Sequence, residues 1–361
     1  MARTPVRFAV VILLTAAIAT LAGCNLSYYA RAAYEEGRLL WNRRPISAEL
    51  SNGDLSQETR NRLETVLAVR EFAADRLGMK VGRAYSTITE IDQHAVVYVV
   101  MAAPRDSLTP YEWWYPIVGS VPYRGYFNEA DARAEAARME EAGYDTLVRP
   151  AAAFSSLGFF DDPLLSNLLK LDPVVLAGVI LHELFHRTFF LAGDAMFDES
   201  AATWVGSRAA IDFFASRDGA NSESAKAARA VYGSDLAFAR FLLGVEARLL
   251  KLYGSGIEHD RMMKQREELF AEIKRDYAQI KPSLSGLERF DLDREPLNNA
   301  VLVNYLIYFH DLDNFEALEH QNGANTRATI ERIIEIARAN PADPFYAIWQ
   351  ATQPAQSASA R

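Results

Sequence analysis

The sequence predicts an α+β fold, mostly helical, with a small β-containing region in its N-terminal half. Three observations carry this expectation. Strand-like runs rich in β-branched and aromatic residues are confined to AVVYVVMAAP (95–104), VPYRGYF (121–127) and DTLVRP (145–150). From residue 163 onward the apolar residues recur at helical spacing, with Gly, Pro or Asn at the breaks. No proline-rich or glycine-serine-rich linker divides the body, so residues 24–345 are expected to form one unit, mixed over 24–162 and helical over 163–345.

Taken in order, helices are expected over 25–45 and 56–77, the second closed by Gly78. Between the last two strand runs lies NEADARAEAARMEEAGY, a helix from an Asn128 cap to Gly143. Strand, helix and strand within about 30 residues make a βαβ-like unit or a split version of one. Further helices are expected over 163–170, 173–191, 199–216, 222–253, 258–280, 296–311 and 324–339. The end of the chain, 346–361, with its TQPAQSASAR, lacks core-forming residues and reads as a flexible tail.

Half of the 361 residues are hydrophobic and 24% are charged, as in an ordinary globular protein. The net charge is -9 and no basic stripe is present, so the phosphate-neutralising attraction behind nucleic-acid binding is missing. The N-terminus, MARTPVRFAVVILLTAAIATLAGC, places Arg3 and Arg7 before an apolar run from Phe8 to Ala22 of secretory-signal length, short for a membrane span. Leu21-Ala22-Gly23-Cys24 resembles the bacterial lipobox, so residues 1–23 are expected to be removed and Cys24 acylated. Cys24 is the only cysteine, which excludes an intrachain disulfide. Asn25 rather than aspartate follows it, which points to the outer membrane, on its periplasmic or its external side.

Within the apolar run VVLAGVILHELFHRTFFLAG stand His182, Glu183 and His186, an HExxH motif. On a helix, residues four apart share a face, so both imidazoles can converge on one ion while Glu183, turned by about 100°, addresses a water held there. The geometry suits Zn2+, which in a catalytic site takes a third protein ligand and leaves a position where the pKa of water falls to about 7. Glu183 is then the general base. A surface helix that happens to show two histidines would have polar flanks, whereas these are apolar all round and call for a compensating metal or mutual pairing.

The third ligand has to come from another element. Gly193 and Asp194 allow the chain to fold back, and FDESAATWVGSR begins a new helix whose first turn carries Glu199. On an antiparallel neighbour Glu199 would face the histidines; the alternative is a carboxylate serving the helix dipole alone. Asp194 and Asp198 are rival ligands, and Asp198 is better suited to the N-cap or to accepting from a ligand histidine's other nitrogen.

HELFH followed by FDESAATWVG resembles the gluzincin arrangement, in which a glutamate on the next helix completes HExxH. The mature chain as a whole resembles a bacterial lipoprotein family of predicted aminopeptidases. The resemblance extends to the lipobox, SYYARAAYEEGRLLWNRRPI, APRDSLTPYEWWYPIVGSVPYRGYF, FSSLGFFDDPL and LNNAVL. It departs at Val301, where the family tends to have arginine, and at Glu36, where it tends to have glutamine. The resemblance implies a zincin-like metallopeptidase core with His182, His186 and Glu199 as ligands and Glu183 as base.

Several residues are secondary candidates. Tyr308, with Tyr305 and His310 behind it, is a candidate oxyanion donor, or else part of an amphipathic helix that buries its tyrosines. Tyr123, Arg124 and Tyr126 either pair with a peptide or belong to a core strand. YEWWYP (111–116) suits aromatic packing, a substrate wall or a membrane-interface contact, and FSSLGFFDDP (154–163) a turn lining the site or a helix cap. His94, His259 and His320 show no ligand spacing. An exopeptidase would hold a substrate's α-ammonium with acids such as Asp161, Asp162 or Asp194, while an endopeptidase would use VPYRGYF as a groove edge. The expected function is a zinc-dependent peptide hydrolase of the cell envelope, an aminopeptidase acting on peptide or protein substrates. The alternatives are an endopeptidase, or an envelope assembly or binding lipoprotein whose zinc is structural. The sequence carries no reading of the oligomeric state.

Overall fold

The computed structural model describes residues 28, 31, 34–35, 37–91, 97–115, 119–151, 161–286, 290, 292–293 and 296–353. Cys24, His94 and most of FSSLGFFDDP lie outside the described residues. The chain divides into two units, Met1–Arg43 and Arg44–Arg361. In the first, residues 37–41 are helical; all elements below belong to the second.

Its strands are β1 (Arg44–Pro45), β2 (Thr87–Thr89), β3 (Val97–Pro104), β4 (Trp113–Tyr115), β5 (Gly119–Val121), β6 (Arg124–Tyr126), β7 (Tyr144–Ala151) and β8 (Leu164–Leu165). Its helices are α1 (Ile46–Ser51), α2 (Gln57–Asp75), α3 (Glu129–Glu141), α4 (Pro173–Thr188), α5 (Ala195–Asp218), α6 (Glu223–Tyr253), α7 (His259–Ile280), α8 (Asn299–Phe309), α9 (Leu312–Gln321), α10 (Thr326–Ala339) and α11 (Pro344–Thr352). The protein is thus a mostly helical α+β fold with small sheets.

β3 lies between β6 and β7 and runs antiparallel to both. β6 and β7 therefore run parallel to each other and are joined by α3, which makes the split form of the βαβ unit. Asn128 caps α3 by accepting from the Ala130 N–H at 2.7 Å. One sheet face packs on α3 through Val100, Ala102, Ala132, Ala136 and Met139. The other face carries Val97, Val99, Met101, Ala103 and Leu147 into the main helical core. Because successive strand residues alternate, Arg149 falls on the face of Leu147, toward α8, while Val148 falls on the face of α3.

The described part of the aromatic run, 111–115, serves chiefly this smaller core. Trp113 is buried and its Nε1 donates to Glu135 at 3.2 Å, whereas Trp114 is 68% exposed. VPYRGYF is two short strands rather than one. Arg124 stands 4.0 Å from Glu135 and over the Tyr126 ring, so both residues engage the α3 side.

Other boundaries differ from expectation for local reasons. The expected helix over 163–170 is β8, paired in parallel with β2, followed by a 3-10 turn over Ser166–Lys170. α5 begins at Ala195 rather than 199, because its N-cap is Asp194, not Asp198. The helix expected over 296–311 stops at Phe309; Asp311 takes a left-handed backbone (φ 51°) and starts α9. Part of the expected tail is helical. Asp343 accepts from the Tyr346 N–H at 3.0 Å, Pro344 opens α11, and Ile348 is fully buried. Among the described residues no helix is long and apolar enough to cross a membrane.

Candidate metal centre and adjoining cavity

α4 starts at Asp172, which caps it by accepting from the Val174 N–H at 2.8 Å ahead of a proline in the first helical position. The turn that follows is tied down by two aspartates. Asp194 caps α5 by accepting from the Phe197 N–H at 3.0 Å, and Asp198 accepts from the Leu191 N–H at 2.9 Å. The returning helix then lies antiparallel to α4 at very short range. A Cβ on Gly206 would stand 2.6 Å from the Gly178 carbonyl oxygen and 3.1 Å from the His182 Cβ. Only glycine permits this approach, which brings Glu199 onto the histidine pair.

His182 Nε2 lies 3.0 Å from Glu199 Oε2 and 3.0 Å from His186 Nε2, and His186 Nε2 lies 3.3 Å from Glu199 Oε2. Donors about 2.0–2.1 Å from a tetrahedral zinc stand about 3.3 Å from one another, so two imidazole nitrogens and one carboxylate oxygen so arranged can share a single ion. Among the described residues this is the one group of three or more such side chains close enough to do so. Burial opposes charge on His186, but the Glu199 carboxylate outweighs it, with help from Glu183 and Asp198, and raises the imidazole pKa to about 9. Burial likewise opposes charge on Glu199, yet His186 and His182 hold its carboxyl well below the usual range. Asp198 differs. Its burial, against the Leu191 N–H and His186, pushes it up to about 7.

Beside the triad is a cavity of about 430 Å³ between α4, α5, α6 and α8, lined by His182 and Glu183 and by Arg149, Asn304, Tyr305 and Tyr308 at its polar end. Glu183 Oε2 is buried with no hydrogen-bond partner. Such an atom costs about 1–3 kcal/mol to leave unmatched, and a catalytic role is one of the reasons a fold retains one. The Tyr308 ring stacks on His182 with centroids 6.2 Å apart, and its hydroxyl accepts from Arg149 Nη2 at 3.4 Å. Burial and then the Glu199 charge raise its pKa, against the pull of Arg149. On the other side of the triad, Tyr123 shares a small pocket with His186, Asp198 and Glu199. Burial, followed by Glu199, Tyr308 and Glu183, raises its pKa well above the usual value.

Of the residues singled out from the sequence, His182, Glu183, His186, Glu199, Asp198, Tyr305, Tyr308 and Tyr123 all border the triad or the cavity. Asp198 does not make the expected hydrogen bond to a ligand histidine, since its Oδ2 and His186 Nδ1 are both buried without a partner. His310 packs on Phe345 and faces Glu246, away from the cavity lining. Asp161 pairs with Arg187 at 3.1 Å and accepts from the Arg83 N–H, and Asp194 is a helix cap. Neither they nor Asp162 line the cavity. His320 is exposed and pairs with Glu316, and His259 is exposed at the start of α7. Arg149 and Asn304 were not singled out. A lone arginine in a strand has no motif, and the one available signal was the alternation that puts it on the face of Leu147.

No curated protein and no solved structure matches the chain. A family model described as "putative aminopeptidase" matches residues 27–344. Because that match runs through both the sheet region and the helices that bring the triad together, the chain belongs to the putative aminopeptidase family.

Proposed function

We propose that the protein is a zinc-dependent peptide hydrolase of the bacterial cell envelope, an aminopeptidase with a gluzincin-like centre held by His182, His186 and Glu199. The observation that carries this reading is the convergence of three donor atoms within 3.0–3.3 Å beside a cavity that Glu183 also lines. A zinc ion in that triad supplies a Lewis acid that polarises a peptide carbonyl and makes water more acidic. Glu183, whose Oε2 has no competing hydrogen bond, takes the proton of the attacking water and delivers it to the departing amine. Tyr308, stacked on His182, donates to the carbonyl oxygen as charge develops there. Asp198 acts on His186 through its charge. The family description supports peptides as substrates and is the basis for the exopeptidase direction. A lipid on Cys24 would tether the mature chain to the membrane, in our reading the outer one. Catalysis is favoured over a structural zinc because the described residues bring three donors together, not four, and a cavity adjoins them.

The test is direct. Purified mature protein should bind about one zinc per chain, and Glu183→Gln should keep the zinc while abolishing hydrolysis. Tyr308→Phe should also keep it, with kcat lower by about 100-fold. Zinc-loaded wild type that cleaves nothing in a broad peptide library would sink the hydrolase reading.

A further inference from the structure

One charged group in the cavity has no part in holding zinc or in moving the proton: Arg149. Strand alternation on β7 delivers its side chain to the cavity, where two neutral groups on α8 hold it. Its Nε donates to Asn304 Oδ1 at 2.6 Å, its Nη2 donates to the Tyr308 hydroxyl at 3.4 Å, and its guanidinium stands 5.9 Å from the Tyr308 ring centroid. Among the described residues no carboxylate pairs with it. A half-buried guanidinium with five donors, most of them uncommitted, is matched in shape and charge by a carboxylate that accepts two parallel hydrogen bonds.

The rest of the wall says what should accompany that carboxylate. Val174, Val175, Val179, Ala210, Val231 and Phe309 line the cavity, and among the described residues Glu183 is its single acid. An ammonium therefore finds no acid there apart from the base, whereas an apolar side chain finds most of the surface. At about 430 Å³ the cavity lies near the small end of the range of about 300–1,000 Å³ typical of small-molecule sites. The His182 and Tyr308 rings are 6.2 Å apart and Arg149 is 5.9 Å from the latter, so triad and guanidinium are at most about four extended residues apart. A carboxylate on Arg149 and a carbonyl at the triad can thus belong to one short peptide.

We propose that Arg149 binds a carboxylate of the substrate while the cavity takes a neighbouring apolar side chain, so that the preferred substrates are short peptides ending in an apolar residue with a free C-terminus. Calling the ligand a substrate rests on the hydrolase reading above; the binding itself does not. Asn304 is a positioning residue for the guanidinium.

The experiment is calorimetric titration of zinc-loaded and chelator-treated mature protein with three probes. N-acetyl-leucine carries the carboxylate and the apolar side chain, N-acetyl-leucinamide lacks the carboxylate, and N-acetyl-glutamic acid α-amide carries it only on its side chain. The acid should bind about tenfold tighter than the leucinamide in both metal states, and Arg149→Met should bring the two within about twofold. Tighter binding of the glutamic α-amide than of the leucinamide, lost in Arg149→Met, would keep the carboxylate site and move its source to an acidic side chain. Equal binding of acid and leucinamide to wild type overturns the proposal, as does a preference that survives in Arg149→Met, which would mean that zinc or the histidines bind the carboxylate. If Arg149→Met does not fold, Arg149→Lys, which keeps the charge and loses the fork, should reduce the preference severalfold, and an undiminished preference is again fatal. A zinc-loaded protein that shows the preference but hydrolyses nothing would remove the hydrolase reading and leave the carboxylate site standing.

Discussion

His186 determines how the proposed zinc site responds to pH. Its pKa is raised from 6.5 to about 9 in the ion-free fold, chiefly because Glu199 overcomes the cost of burial. The imidazolium-carboxylate pair therefore stabilises that fold fully below about pH 6.5, and the contribution fades as pH rises through about 9. Zinc needs the neutral ring and must displace the proton. Its affinity should rise about tenfold per pH unit between pH 6.5 and 9, with one proton released by this residue. Calorimetric titrations in buffers of different ionisation heat would measure both, and an affinity flat across that range would remove His186 from the ligand set. The histidines and Glu183 were legible because a four-residue spacing on a helix has only one geometric meaning. Glu199 needed one more inference, that the chain folds back after Gly193. The cap went to Asp194 rather than Asp198, since several neighbouring aspartates are equivalent on paper and only the folded turn selects between them. Alternation could place Arg149 on the face of Leu147 but not mark it as functional, because what marks it, the lack of a carboxylate partner among the described residues, is a property of the folded cavity.

At the scale of elements, the site depends on how closely α4 and α5 approach. Gly178 and Gly206 face each other across that contact but are not equivalent. An added methyl at Gly206 meets the Gly178 carbonyl oxygen at 2.6 Å, whereas one at Gly178 meets the Gly206 carbonyl oxygen at an ordinary 3.7 Å. Gly206→Ala should cost about 1–3 kcal/mol by overpacking and should weaken zinc binding as Glu199 is levered away from the histidines. Gly178→Ala should be neutral or slightly stabilising, because alanine is the better helix former. Denaturant midpoints and competitive zinc titration on the two variants test this, and equal effects at both positions would refute the close-approach account. The long helices were readable because their caps are local, as at Ser56, Asn128, Asp172 and Ser222. The two-residue strands β1 and β8 were not, since a strand that short exists only through its nonlocal partner β2. Similarly, α11 was lost in a polar tail although Asp343-Pro344 is a sound helix start.

On the scale of the whole molecule, the proposed chemistry and the proposed membrane tether belong to different parts of the chain. The triad, Glu183, Tyr308 and Arg149 come from β7, α4, α5 and α8, all within the unit Arg44–Arg361. They are contributed by segments far apart in sequence, so the site exists only when that unit is folded, and zinc should stabilise it by mass action. The proposed tether is at Cys24, in the other unit. If that division holds, removing the tether should change where the protein is and not what it binds. Cys24→Ser, expressed in a bacterial host, should no longer incorporate labelled palmitate and should leave the membrane fraction or accumulate with its signal uncleaved. The same variant, purified, should bind zinc with the stoichiometry of the wild type and an affinity within about threefold, since His182, His186 and Glu199, the three proposed ligands, all lie in Arg44–Arg361. Palmitate that still enters the variant would move the lipid to another residue. A zinc affinity that collapses with Cys24→Ser would show instead that the two units are energetically one.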